Sequence, residues 1–167
     1  MKKRLSLALL AILLAPFAAA AVQSEWVRVA PVGGGFSFRM PANPKEESKT
    51  DADYSSHSFS LVTDPVIYIV EYGDYSPTIH LDVRGELNAN RDNFVNGVNA
   101  KLIDSKEIDL DGHPGLEFTA ENSQASMKSR VYLVGNRVFM IAVAVLDGKS
   151  EPENVERFLG SFAFAKP

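Results

Sequence analysis

The stretch Val138-Phe139-Met140-Ile141-Ala142-Val143-Ala144-Val145-Leu146 decides the fold class. Every residue in it is apolar, whereas a strand with one wet face alternates apolar and polar residues. The run is too short for a membrane-spanning helix, and its β-branched and aromatic residues favour a strand. A second run, Val66-Ile67-Tyr68-Ile69-Val70, has the same character. We therefore predict two central strands, each covered on both faces.

Other strand signals surround these two runs. The pair Gly135-Asn136 separates the longer run from residues 130–134, and both residues tolerate positive φ, which indicates a hairpin. Residues 103–110 and 116–120 flank Asp111-Gly112-His113-Pro114-Gly115, which predicts a second hairpin with His113 in a structural turn. Shorter strands are expected at 26–29, 36–40, 57–63 and 162–164, and an edge strand or a loop at 43–56.

Two segments have helical periodicity. Val83, Leu87, Phe94 and Val98 fall on one face of a helix over residues 83–98. A second helix is expected over 153–160, directly after a proline, which is favoured in the first turn of a helix. The predicted fold is α+β: a three-layer α/β/α sandwich around a mostly antiparallel sheet.

The N-terminus has the layout of a secretory signal peptide. Three cations, Lys2-Lys3-Arg4, precede an apolar run from Leu5 to Phe17, and small alanines follow at 18–21. We predict a signal peptide over 1–21, cleaved after Ala20 or Ala21, and one domain over 22–167. The mature chain is then periplasmic or secreted, with no stable membrane insertion.

Composition excludes several classes of function. The chain has 167 residues, no cysteine and a formal net charge of −4, from 17 Lys+Arg against 21 Asp+Glu. Without cysteine there are no disulfides, no thiolate nucleophile and no sulfur-ligated metal. Removing residues 1–21 removes three cations, so the mature chain carries 14 positive and 21 negative charges, or −7. Such an acidic domain suits neither nucleic acid nor an anionic lipid surface.

Several segments together resemble the PsbP-like superfamily. They are GFSFRMP at 35–41, PKE at 44–46, AKL at 100–102, DGHPGLEF at 111–118, RVYLVGNRVF at 130–139 and RFL at 157–159 with SF at 161–162. The superfamily includes an extrinsic subunit of photosystem II, a Ran-binding import factor and many secreted bacterial proteins of unassigned role. The order and spacing of these segments are similar to those in the secreted bacterial branch of the superfamily. The resemblance implies the fold and transfers no functional residue.

One alternative is a metal site built from imidazole and carboxylate groups. His80 with Asp82, and Glu71 with Asp74, could converge on a divalent ion and support a metal-assisted hydrolase. No His-x-x-x-His spacing supports this, and no Gly-x-Ser-x-Gly elbow exposes a nucleophile. Polar surface loops account for the same residues.

Aromatic residues suggest a ligand groove instead. The tyrosines at 54, 68, 72 and 75, together with Trp26, could line an apolar pocket with a few hydroxyl groups beside the sheet, or be part of the core. The segment 72–80, which contains a glycine and a proline, is the best candidate for a functional loop. The predicted ligand-binding residues are Tyr72, Tyr75, His80 and Glu71.

The leading functional hypothesis is a non-enzymatic, exported domain without a cofactor. Its expected partner is an unknown envelope protein or a small ligand. The two alternatives are the metal-assisted hydrolase and a structural component of the cell envelope.

Overall fold

The computed structural model describes residues 25–166, so the predicted signal peptide over 1–21 lies outside the described residues. The strands are β1 (Val27–Val29), β2 (Phe36–Met40), β3 (Lys45–Thr50), β4 (Tyr54–Val62), β5 (Val66–Tyr75), β6 (Lys101–Leu110), β7 (His113–Glu121), β8 (Ala125–Val134), β9 (Arg137–Leu146) and β10 (Ala163–Phe164). The helices are α1 (Val83–Gly97) and α2 (Pro152–Ser161). Neither of these helices combines the length and the hydropathy needed to traverse a bilayer.

Seven strands form the large sheet, in the order β3-β4-β5-β9-β8-β7-β6, and all neighbouring pairs are antiparallel. The apolar run of β9 is the middle strand, and β5 pairs with it so that Val70 lies opposite Ile141. Both apolar runs are therefore central strands, as predicted. The α+β fold class, a large antiparallel sheet with two helices, is confirmed.

One face of the large sheet carries an aromatic core. Strands β1, β2 and β10 form a small antiparallel sheet over this face, and α2 packs beside them. Phe158 of α2 is fully buried against Tyr68 of β5, with ring centroids 5.0 Å apart. Phe36 of β2 contacts Phe139 of β9 at 5.3 Å. Burial of these large rings fixes both the helix and the small sheet to the large one.

The opposite face carries α1, which lies over β6, β7 and β8. Leu87 and Val95 are its buried residues and belong to a cluster with Phe118 and Val131 of the sheet. Val83, which was expected on this buried face, is 44% exposed. Leu87 and Phe94 of the predicted face pack on the sheet, and Val95 is buried beside them. Arg91, one turn from both 87 and 95, donates to Ser105 Oγ at 3.3 Å.

Part of the sheet face on which α1 lies remains uncovered. This differs from the prediction that both central strands are covered on both faces. A helix is about 10 Å wide and strands lie about 4.8 Å apart, so one helix covers two or three of the seven strands. Ile67 and Ile69 of β5 are accordingly half-buried on this side, and Val62 of β4 is 73% exposed. A cleft results where the flank of α1 meets the open part of the sheet.

Two loop predictions are corrected. The sequence segment 72–80 was expected to be a loop, but β5 continues through Tyr75, where it still pairs with Tyr54 of β4. The hairpin turn at 111–115 is shorter than expected. Asp111 and Gly112 alone make it, with φ of 55° and 84°, and His113 already begins β7.

Two glycines give a matched test of the core. A Cβ at Gly115 would lie 2.6 Å from the carbonyl oxygen of Val131, whereas one at Gly160 in α2 would meet no atom within 4 Å. We expect Gly115→Ala to destabilise the protein by about 1–3 kcal/mol through overpacking. Gly160→Ala is expected to stabilise it by about 0.5 kcal/mol through helix propensity. Urea denaturation measures both changes, and equal effects of the two variants would contradict the described packing of β7 on β8.

Candidate functional site

The structure divides the predicted ligand-binding residues between the two faces of the sheet. Successive side chains of a strand point to opposite faces. Glu71 and Tyr75 of β5 therefore face α1, while Tyr72 faces the aromatic core. His80 is exposed in the loop before α1. The four residues do not converge on one concavity.

Tyr72 is a core residue at the edge of the aromatic cluster. Its ring stacks on His57 at 4.7 Å, and the Arg137 guanidinium lies over it at 4.8 Å. Arg137 also donates to both carboxylate oxygens of Asp74, at 2.6 and 2.8 Å, and to the carbonyl oxygen of Gly34 at 2.7 Å. The Asp74 hydrogen bonds raise the pKa of Arg137. These contacts tie the glycine-rich connector to the large sheet.

The four residues of the possible metal site lie in separate places. Asp82 is the N-cap of α1, and its carboxylate accepts from the Gly85 backbone N–H at 2.7 Å. Asp74 is paired with Arg137 on the core side, and Glu71 faces α1. Within residues 25–166, no group of three or more His, Asp or Glu side chains is arranged to hold a metal ion.

The cleft beside α1 brings together residues from four elements. We call it the α1 cleft, and its volume is about 260 Å³. Residues of β4, β5, β9 and α1 line it: Tyr54, Glu71, Gly73, Val138, Met140, Asn90, Asn93 and Phe94, together with Tyr72, whose ring lies on the opposite face of the sheet. Val138, Met140 and Phe94 are its apolar residues, and a carboxylate, two amides and a phenol are the polar groups. A small cavity that combines apolar surface with a few polar groups is typical of a ligand site.

Glu71 is the charged residue of the α1 cleft. The ion pairs found in the described part of the chain involve other carboxylates. Burial raises the pKa of Glu71 above the ordinary carboxyl value, because partial removal from water disfavours the charged form. The protein therefore holds a half-buried carboxylate that no cation of the described chain neutralises.

A hydrogen-bonded chain lies behind Asn90, which lines the α1 cleft. The Tyr75 hydroxyl donates to the Glu86 carboxylate, and Asn90 Nδ2 donates to Glu86 Oε1 at 2.7 Å and to its backbone oxygen at 3.0 Å. The Tyr54 ring lies 4.9 Å from that of Tyr75 and passes over Gly73, where a Cβ would fall 1.9 Å from Tyr54 Oη. Burial, with the charges of Glu71 and Glu86, raises the pKa of Tyr54 to about 12, so its hydroxyl stays protonated.

Comparison with known proteins gives the fold. No known family model matches the sequence, and no curated protein does. The solution structure of cyanobacterial PsbP from Synechocystis sp. PCC 6803 superposes with a TM-score of 0.60 at 13% identity, over 87% of this chain and 95% of that one. The fold is PsbP-like. A crystal structure from Bacteroides thetaiotaomicron VPI-5482 aligns with a TM-score of 0.37 at 14% identity, over 83% of this chain and 48% of that one.

The PsbP-like fold confirms the resemblance in architecture, and similarity at this identity concerns the fold alone. The aromatic residues divide between the two alternatives, groove and core. Trp26 and Tyr68 contact each other in the core at 5.6 Å, whereas Tyr54 lines the α1 cleft and Tyr75 contacts the Tyr54 ring at 4.9 Å. Sequence reasoning missed Asn90 and Asn93, which lie outside the predicted apolar face of α1. The available signal was their spacing of three residues, which places them on one side of the helix.

Glu71→Gln is expected to stabilise the protein without ligand. A raised pKa means that the folded state disfavours the Glu71 charge, so the destabilisation is present above the folded pKa and disappears below the unfolded one. Because the carboxylate is half-exposed, we expect a Tm increase of only about 1 °C near neutral pH. Differential scanning calorimetry at neutral and acidic pH measures it. A lower Tm for the variant near neutral pH would mean that Glu71 has a stabilising partner.

Proposed function

We propose that this chain is an exported, non-catalytic domain that binds a small ligand, or a group presented by a partner protein, in the α1 cleft. The observation that carries the proposal is the half-buried Glu71 carboxylate without an ion-pair partner in the described chain. An uncompensated carboxylate reduces folding stability and is expected where a ligand supplies the missing charge or hydrogen bonds.

Two further features support a binding role. The groups that face the α1 cleft are held in place by packing and hydrogen bonds, since Asn90 is fixed by Glu86 and Tyr54 by Gly73 and Tyr75. Such preorganisation reduces the entropy lost on binding. The Tyr54 hydroxyl, whose pKa burial raises to about 12, adds a neutral hydrogen-bonding group at the cleft.

Export is supported by the charged, apolar and small-residue regions of residues 1–21. Expression of the full chain in a bacterium followed by fractionation and intact-mass measurement tests this part. The expected product is a periplasmic or secreted chain that lacks the first 20 or 21 residues. A full-length product retained in the cytosol would contradict it.

Binding is tested by ¹H–¹⁵N correlation spectra of the chain from Val22 to Pro167, with a library of small cationic, neutral and anionic metabolites. The proposal expects at least one compound to shift amides of residues 54, 71–73 and 90–94 saturably. Gly73→Ala should abolish these shifts, because its Cβ displaces the Tyr54 ring. Gly160→Ala is the matched control and should leave them unchanged. A library that leaves these amides unshifted would contradict binding in the α1 cleft.

A further inference from the structure

We propose that the α1 cleft selects an organic ammonium group, from a free alkylamine or from a lysine side chain, which Glu71 neutralises. This inference rests on the proposed function and specifies the ligand class of the same site. The geometry points to it through three features of the cleft: its charge, its hydrogen-bonding groups and its aromatic wall.

The charge at the α1 cleft is negative. Glu71 lines it, and Glu86 lies behind Asn90 at its wall. Neither carboxylate belongs to the ion pairs of residues 25–166. An anionic ligand would be repelled by both, and a neutral one would leave Glu71 uncompensated. An ammonium group beside Glu71 supplies the missing counter-charge in a partly desolvated place, where charge attraction is stronger than in water.

Most of the free hydrogen-bonding atoms at the cleft are acceptors, although the Asn93 amide and the Tyr54 hydroxyl also carry donors. Asn90 Nδ2 already donates twice to Glu86, which leaves Asn90 Oδ1 as the group that can accept. Glu71 supplies two further acceptor oxygens. A primary ammonium carries three N–H donors and no acceptor, and thus complements this set. A divalent metal ion is a poorer match, since calcium prefers six to eight oxygen ligands with several carboxylates.

The aromatic wall provides a further contact for a cation. The Tyr54 ring lies over Gly73, which has no side chain to hold it away from the strand. A cation near the face of a tyrosine ring is attracted to its π electrons, and the attraction is stronger when the cation is desolvated. Met140 and Phe94 provide apolar surface for an alkyl chain. The volume of about 260 Å³ lies below the usual range for drug-sized ligands, which suits a short aliphatic amine.

The test titrates the chain from Val22 to Pro167 with putrescine and with Nα-acetyl-lysine methylamide, and 1,4-butanediol serves as the uncharged analogue of putrescine. Amide shifts are followed at residues 54, 71–75, 90–94 and 138–140. We expect one or both amines to shift these amides saturably, while butanediol does not. Binding of the lysine derivative alone would identify a protein partner as the source of the ammonium, and binding of putrescine alone a free amine.

Glu71→Gln should weaken amine binding at least tenfold, whereas Asp104→Asn should not. Asp104 is an exposed residue of β6, so its substitution removes the same charge at the opposite edge of the sheet. Equal binding of butanediol and putrescine in the cleft would overturn the ammonium inference and leave the proposed function standing. Amine shifts that are scattered over the surface, or that persist in Glu71→Gln, would also overturn the inference. If neither the amines nor any library compound shifts the amide signals of the cleft, the ammonium inference and the proposed function both fail.

Discussion

Phe158→Ala is expected to destabilise the protein by about 3–5 kcal/mol, a large part of the stability of a domain of this size. Phe158 is fully buried in α2, and its ring meets Tyr68 edge-on at 5.0 Å. Removing it leaves a cavity between α2 and the middle of the large sheet. Urea denaturation followed by circular dichroism and by Trp26 fluorescence measures the loss, and Trp26 reports locally because it contacts Tyr68.

Val155→Ala is the control for Phe158→Ala. Val155 lies on the same helix but is only half-buried, so truncation there should cost about 1 kcal/mol. Similar small losses for both variants would show that α2 is not docked on the aromatic core. The layer that it forms would then be absent in solution.

Glu117→Gln is expected to destabilise the protein by about 2–3 kcal/mol at neutral pH. The Glu117 side chain is 9% exposed and binds Arg130 Nε at 2.8 Å and Lys106 Nζ at 2.9 Å. Arg130 also donates to the backbone oxygen of Leu159 at 3.1 Å, which connects this cluster to α2. The substitution leaves partly buried cations without a counter-charge. Urea denaturation at neutral pH measures the change.

The effect of Glu117→Gln should depend on pH. Burial alone would raise the pKa of Glu117, but hydrogen bonds from Lys106 and Arg130 and the charges of Arg130 and Lys128 outweigh burial and lower it. A lowered folded pKa gives stability that is complete above the unfolded carboxyl value, about 4.3, and lost as pH falls through the folded pKa. The difference between wild type and variant should therefore shrink in acid.

Glu121→Gln is the control for Glu117→Gln. Glu121 is exposed on the same strand, β7, and its substitution should change stability by less than about 0.5 kcal/mol. A pH-independent difference between wild type and Glu117→Gln would contradict the assigned ionic cluster.

Central strands are predictable from sequence where both faces are buried. The apolar run of β9 has the length and composition of a strand and no polar face, so its position in the middle of the sheet follows. The C-terminal end of β5 was harder to predict from the sequence. Tyr72, Gly73 and Asp74 look like loop residues, yet they extend the strand because Arg137 pairs with Asp74 and Tyr54 covers Gly73. Both contacts join residues distant in sequence.

The candidate site was predictable only in part. Glu71 and Tyr75 lie on one face of β5, whereas Tyr72, which was predicted with them, lies on the other. The sequence segment 72–80 was interpreted as a loop, and the alternation of strand side chains between faces was therefore not applied to Tyr72. The polar residues Asn90 and Asn93 were not among the predicted site residues. They line the cleft because α1 covers only part of the sheet, and a single sequence does not specify that lateral position.

The most direct measurement is the pKa of Glu71, obtained from ¹³C NMR of its side-chain carboxyl carbon with and without saturating putrescine. A carboxylate that is half-buried without a partner and then neutralised by an ammonium should have a raised pKa in the free protein. That pKa should fall when putrescine is bound. An ordinary pKa for Glu71 in the free protein, or a raised one that putrescine leaves unchanged, would contradict a cleft built to receive a cation.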